Sequence, residues 1–226
     1  MKRGLLLNIE GTDASGKNTQ ATLLVERLNK NGFPCETLSF PRYNTPTGKI
    51  IGDCYLGKTC DSWFGDANSV PPEVASLYYA ADRKAAAEEI IKKLDSGRHI
   101  ILDRYVESNM GHQGGKKSGE DRIKIINFIN NLEYGLLKLP RPDAIIFLYM
   151  PYLAGMELKK GRAGKADGHE SNAEHLKNAE ETYLQLADMF GWTKIECAPD
   201  GTIKSLRKKE DISEEVYEKV MNLMKK

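Results

Sequence analysis

The chain has 226 residues, 40% of them apolar and 29% charged, and its 33 basic and 32 acidic side chains leave a formal net charge of +1. That length and composition suit a single α/β domain spanning 1–226 with room for a full core. So even a charge balance excludes a protein whose main partner is a nucleic-acid backbone, and any cation that matters has to act locally.

From the N-terminus, Met1-Lys2-Arg3-Gly4 precedes an apolar run too short for a leader core or a membrane span, and no later run is long enough. A cytoplasmic protein without membrane contact is expected. Leu5-Leu6-Leu7-Asn8-Ile9 leads to Gly11 and predicts a buried strand. Residues 17–31 predict a helix, with Ala21, Leu23, Leu24, Val25 and Leu28 on its apolar face and Asn31-Gly32 at its end. A second strand is expected over 36–40, stopped by Pro41, and Pro46 suits the first turn of a short helix. Residues 57–70 read as loop, and Pro71-Pro72-Glu73 opens a long helix to Leu94. A third buried strand covers 99–103.

The four glycines within 111–119 predict a loop, 120–137 a helix and 144–150 a fourth strand, after which Pro151 can start another helix. Residues 161–172 are polar, Gly-rich and basic, and are expected to form a mobile loop. A helix over 172–190 and a fifth strand over 192–197 follow. The last helix is expected over 213–225, with Ser213 as N-cap and Glu214 and Glu215 in its first turn. The cysteines Cys35, Cys54, Cys60 and Cys197 form no C-x-x-C pair and have no His at metal-ligand spacing, so reduced thiols are expected. Strands alternate with helices throughout, which predicts a five-stranded parallel sheet with helices on both faces.

Gly11-Thr12-Asp13-Ala14-Ser15-Gly16-Lys17-Asn18-Thr19 joins the first strand to the first helix and meets the spacing G-x-x-x-x-G-K. Glycines let the backbone wrap around phosphate with its N–H groups inward, and the helix N-terminus adds a positive end. These residues form the expected ATP-binding loop, with Lys17 reaching the β- and γ-phosphates. The motif's next position supplies a hydroxyl to Mg²⁺, but Asn18 stands there and Thr19 comes one place later. Mg²⁺ is therefore expected to rest on phosphates, water and a carboxylate. Asp103 ends a buried strand at the edge where the loop lies, and can hold the metal through water. Arg104 beside it puts a cation near a transferring phosphate. Switches, motors and small-molecule kinases share such a loop, so the loop alone does not choose the reaction.

Asp103-Arg104-Tyr105-Val106-Glu107-Ser108-Asn109, followed by His112-Gln113-Gly114, resembles the D-R-Y/H segment of thymidylate kinases. The loop with Asp13, Thr19 and Gln20 resembles theirs too. So do Phe40-Pro41-Arg42-Tyr43, Leu77-Tyr78-Tyr79-Ala80-Ala81-Asp82-Arg83, Leu139-Pro140-Arg141-Pro142-Asp143, and Arg162 with Asp167-Gly168-His169-Glu170 in the lid position. The resemblance runs from the first strand to the helix ending near Phe190. It implies a P-loop kinase fold with a lid over about 160–172, ATP and Mg²⁺ on the donor side, dTMP as acceptor, and a homodimer.

Carried over residue by residue, the resemblance gives Arg42 the acceptor's 5′-phosphate, makes Phe40 a pocket wall, stacks Tyr79 on thymine and lets Arg83 bond the base. Tyr79 and Arg83 share a helix face, and an aromatic ring beside a planar donor suits a base with carbonyl oxygens. Arg104 aligns the two phosphates, Ser108 and Asn109 face the base, Gln113 belongs to the acceptor site, and Asp13 contacts the acceptor sugar. His112 stands where relatives often carry an aromatic beside the deoxyribose. Ala14 is small where some relatives have Arg, so the lid is expected to supply the catalytic cation through Arg162 or Lys165. Lys17, Asp103, Arg104 and Arg162 form the expected catalytic set. The alternatives are a kinase for another monophosphate or for a nucleoside, and a nucleotide-binding regulator without phosphotransfer. Arg42 argues against a nucleoside, which has no phosphate to hold.

Overall fold

The structure, a computed structural model, describes residues 2–59, 62–160 and 173–225. Strands β1 (Leu6–Gly11), β2 (Cys35–Ser39), β3 (His99–Asp103), β4 (Ala144–Tyr149) and β5 (Thr193–Glu196) form one sheet in the order β2-β3-β1-β4-β5. Every pairing is parallel, with Leu6 beside Ile100 and Leu7 beside Ala144 at the start of the central strand. Neighbouring side chains on a strand point to opposite faces. Leu6, Ile100, Leu102 and Phe147 therefore enter one apolar cluster, while Leu7, Ile9, Ile101 and Leu148 enter another.

The helices are α1 (Lys17–Lys30), α2 (Pro46–Lys49), α3 (Pro72–Asp95), α4 (Val106–Gly114), α5 (Gly119–Asn130), α6 (Tyr152–Lys159), α7 (Ala173–Phe190) and α8 (Lys209–Met224). Helices α3, α4, α5 and α7 cover the first cluster, and α1, α6 and α8 cover the second. This is the parallel sheet with helices on both faces that the alternating pattern predicts. Helices α2 and α5 each run on into a π-helical turn, Ile50–Tyr55 and Asn131–Leu136. Among the described residues no helix is long and apolar enough to cross a membrane.

Two expectations need correcting. Residues 111–114 are not loop but the second half of α4. Their glycines serve close packing: a Cβ on Gly111 would lie 2.6 Å from Tyr183 Cζ, and one on Gly114 would lie 3.1 Å from Thr182 Cγ2. Helix α7 thus crosses α4 at a distance that only missing side chains allow. Helix α8 starts at Lys209 rather than Ser213, with Lys208 as N-cap and Glu210 and Asp211 in the first turn. The earlier start brings Ile212 onto the buried stripe with Val216 and Val220.

Candidate active site

Strands β1, β2 and β3 end at one edge of the sheet, at Gly11, Ser39 and Asp103, where open α/β sheets place their ligands. The loop leaving β1 curls tightly there. Gly16 takes φ 81° as the left-handed N-cap of α1, a conformation glycine adopts at no steric cost. A Cβ on Gly11 would lie 2.4 Å from Ser15 Oγ. The Thr12 hydroxyl donates to the Met150 carbonyl at 2.7 Å and accepts from Met150 N–H at 2.8 Å, which ties the loop to the end of β4. Lys17 Nζ donates to the carbonyls of Gly11 and Thr12, at 2.9 Å each. Burial first, and then the charge of Arg104, pulls the Lys17 ammonium down to about 7.

Asn18 resolves its own oddity in the motif. Its Nδ2 donates to Asp103 Oδ2 at 3.3 Å, and Ser39 Oγ donates to the same oxygen at 3.3 Å. The amide therefore steadies the acid at the end of β3 instead of offering a hydroxyl. Among the described residues no group of three or more His, Cys, Asp or Glu gathers to hold a metal. A lone fixed carboxylate beside a phosphate loop fits Mg²⁺, which keeps most of its water and binds through one or two carboxylates and the phosphates.

Beside the loop lies a half-open cleft of about 650 Å³, counting the solvent at its mouth. Asp13, Phe40, Tyr79, Arg83, Arg104, Ser108, Asn109, His112 and Gln113 all line it. These are all the expected acceptor-side residues except Arg42. The Arg42 guanidinium is turned onto Asp82, with Nε 3.1 Å from Oδ1 and Nη2 2.9 Å from the Asp82 carbonyl. It lines an adjoining cleft that shares Phe40 and Arg104 with the first and adds Lys58. Arg162, Lys165, Asp167, Gly168, His169 and Glu170 of the expected lid lie outside the described residues.

Residues 9–209 match the family model for thymidylate kinase. The chain belongs to the thymidylate kinase family. It is 32% identical to a probable thymidylate kinase of Thermococcus gammatolerans over 85% of this chain and 87% of that one. It is 28% identical to the thymidylate kinase of Plasmodium falciparum over 98% and 92% of the two chains. The solved thymidylate kinase of Candida albicans shares the fold, with a TM-score of 0.70 and 23% identity over 97% of this chain and 92% of that one.

Within this thymidylate kinase scaffold Arg104 sits at φ 68°, a left-handed conformation that a non-glycine residue holds only where the surroundings enforce it. Burial opposes its charge, but Tyr183, Glu10 and Asp103 outweigh that and keep the guanidinium protonated. Its Nη1 lies 3.4 Å from both Ser108 Oγ and His112 Nε2. His112 in turn stacks on His175 of α7, with ring centroids 5.5 Å apart. Both amide atoms of Gln113 are buried without a hydrogen-bond partner among the described residues. Gln113 lines the cleft.

Sequence reasoning misses four acidic or basic residues that hold this kinase site together. Glu10 accepts from Tyr105 N–H at 3.0 Å, Ser108 Oγ at 2.8 Å and Tyr183 OH at 3.3 Å. Glu107 accepts from Tyr134 OH at 2.6 Å and Asn8 Nδ2 at 2.7 Å. Burial raises the Glu107 carboxyl to about 7; Tyr134 opposes the rise and the Glu10 charge adds to it. Glu133 pairs with Arg83, and Lys159 of α6 pairs with Asp13. Glu10 alone carries a local signal, an acid inside an otherwise uncharged, fully buried strand. The others are recognisable only through partners distant in sequence.

Proposed function

We propose that the chain transfers the γ-phosphoryl group of MgATP to the 5′-phosphate of dTMP, giving dTDP and ADP, in the cytoplasm and as a homodimer. The observation that carries this reading is the cleft itself. An aromatic ring (Tyr79), a guanidinium (Arg83) and an amide (Asn109) line it together with Arg104 and with Asp13 of the phosphate loop.

Phosphoryl transfer needs alignment, charge neutralisation and exclusion of water more than it needs covalent chemistry. Lys17 and Arg104 supply positive charge at the loop, and Arg162 is assigned the third cation. The adjoining cleft with Arg42 and Lys58 takes the acceptor phosphate, for which Arg42 exchanges part of its bonding to Asp82. The acceptor phosphate is already ionised near neutral pH, so no strong general base is required. Asp103, steadied by Asn18, would hold Mg²⁺ through water. The metal, when bound, neutralises charge on the phosphate oxygens. Asp13, with Lys159 behind it, faces the acceptor sugar, and His112 stands beside that sugar.

A coupled assay of ADP release over dTMP, dUMP, dCMP, dGMP and thymidine tests the reading. Turnover is expected to be fastest with dTMP and absent with thymidine; no turnover of dTMP overturns the proposal. Arg162→Ala is expected to lower kcat about a hundredfold while leaving the KM for dTMP within about threefold. An unchanged kcat removes Arg162 from the catalytic set. Light scattering tests the dimer.

A further inference from the structure

Glu133 stands behind the base cleft without lining it. It lies in the π-helical turn Asn131–Leu136 that ends α5 and is fully buried. Its carboxylate accepts from Arg83 Nε at 2.5 Å and Arg83 Nη2 at 2.7 Å. The same group accepts from Asn109 Nδ2 at 2.9 Å, and Asn109 Nδ2 also lies 3.5 Å from the Ser76 carbonyl oxygen. Both neighbours of that nitrogen are acceptors. A carboxylate already paired with a guanidinium has no hydrogen to give, so reversing the Asn109 amide would set its oxygen against two others. Asn109 Oδ1 is thereby left buried with no partner among the described residues.

We propose that Glu133 is a positioning residue for base selection. By holding Arg83 and the nitrogen of Asn109, it leaves the cleft with a donor, Arg83 Nη1, beside an acceptor, Asn109 Oδ1. That pair fits the N3–H and C4=O edge of a pyrimidine imide. It opposes cytosine, whose N3 accepts and whose 4-amino group donates. The inference rests on the thymidylate reading of the cleft and adds to it the group that sets its polarity. The π turn bears on this because such turns recur where a side chain has to be re-aimed at a functional site.

Glu133→Gln preserves shape but introduces one NH₂. Both carboxylate oxygens serve Arg83, and Oε1 takes Asn109 as well, so the NH₂ of Gln meets an Arg83 donor at either position, and Asn109 Nδ2 too when it replaces Oε1, which loosens the held pair. The ratio of kcat/KM for dCMP to that for dTMP is expected to rise about tenfold or more, mainly through KM, with the KM for ATP unchanged. Glu133→Asp keeps an acceptor-only group and is expected to retain most of the selectivity. Wild-type turnover of dTMP with an unchanged ratio in folded Glu133→Gln overturns the inference alone. Absence of wild-type turnover overturns the proposed function as well. Should Glu133→Gln not fold, the wild-type protein labelled with ¹⁵N-asparagine decides: the Asn109 side-chain NH₂ signals should stay protected from exchange when dTMP is added. Loss of that protection means the nitrogen has turned to the base, against the inference.

Discussion

Lys17 sits 7% exposed, its ammonium held by two carbonyls and lowered to about 7 from an ordinary 10.5. Below pH 7 the charge is already present; at pH 8 most chains hold it neutral. A polyphosphate favours the charged form, so binding at pH 8 should draw in close to one proton, and ATP affinity should fall as pH rises above 7. Calorimetry in buffers of different ionisation heat measures the uptake; Lys17→Met should abolish it, and zero uptake in the wild type contradicts the assignment. Glu107 is shifted the opposite way, upward, and acts in another window. Its folded value is about 7 against an ordinary 4.5, so its contribution to stability is full below 4.5 and is lost as pH rises through 7. Urea midpoints should fall between pH 5 and 7, and Glu107→Gln should flatten that fall; an equally steep slope in the variant assigns it elsewhere. The two residues also differ in legibility. Lys17 is readable because its glycines and its helix lie within a few residues of it. Glu107 and Glu133 look like ordinary helix-surface acids until Tyr134 and Arg83 are brought to them by the fold.

Helix α4 shows the limits of local reading at the next scale. Its glycines signal a loop by propensity, yet they answer to Tyr183 and Thr182 on α7, a contact that no window of sequence contains. Gly111→Ala tests this. Alanine favours helix over glycine by about 1 kcal/mol, whereas forcing a methyl into the Tyr183 ring costs about 1–3 kcal/mol. A net loss of stability is expected by chemical denaturation, and a more stable variant shows that α7 can give way. The start of α8 was hidden for a related reason. Ser213 is a good capping residue, but burying Ile212 outweighs the cap and carries the helix back to Lys209. The strands and the long helix α3 were readable to within a residue or two, because their apolar runs and flanking Pro and Gly are self-contained.

The described residues hold two large apolar clusters on opposite faces of one sheet and a third, smaller one around Ile51, Tyr55 and Ala75. Helix α8 closes the second cluster with Ile212, Val216 and Val220, each burying about 1.5–3 kcal/mol of side chain, together comparable to the net stability of a typical domain. A chain ending at Lys208 is therefore expected to lose cooperative unfolding and soluble yield; an unchanged urea transition makes α8 dispensable. The sheet also sorts functions by face. Phe40, Tyr105, the later turns of α3 and the helix α4 that carries Asn109 belong to the first cluster, Tyr79 packs against the third, and α1, which begins with Lys17, packs on the second. Each half therefore has its own apolar contacts. A lineage, or an engineer grafting α3, α4 and the turn after α5 from a relative, can exchange the acceptor while inheriting the donor machinery intact.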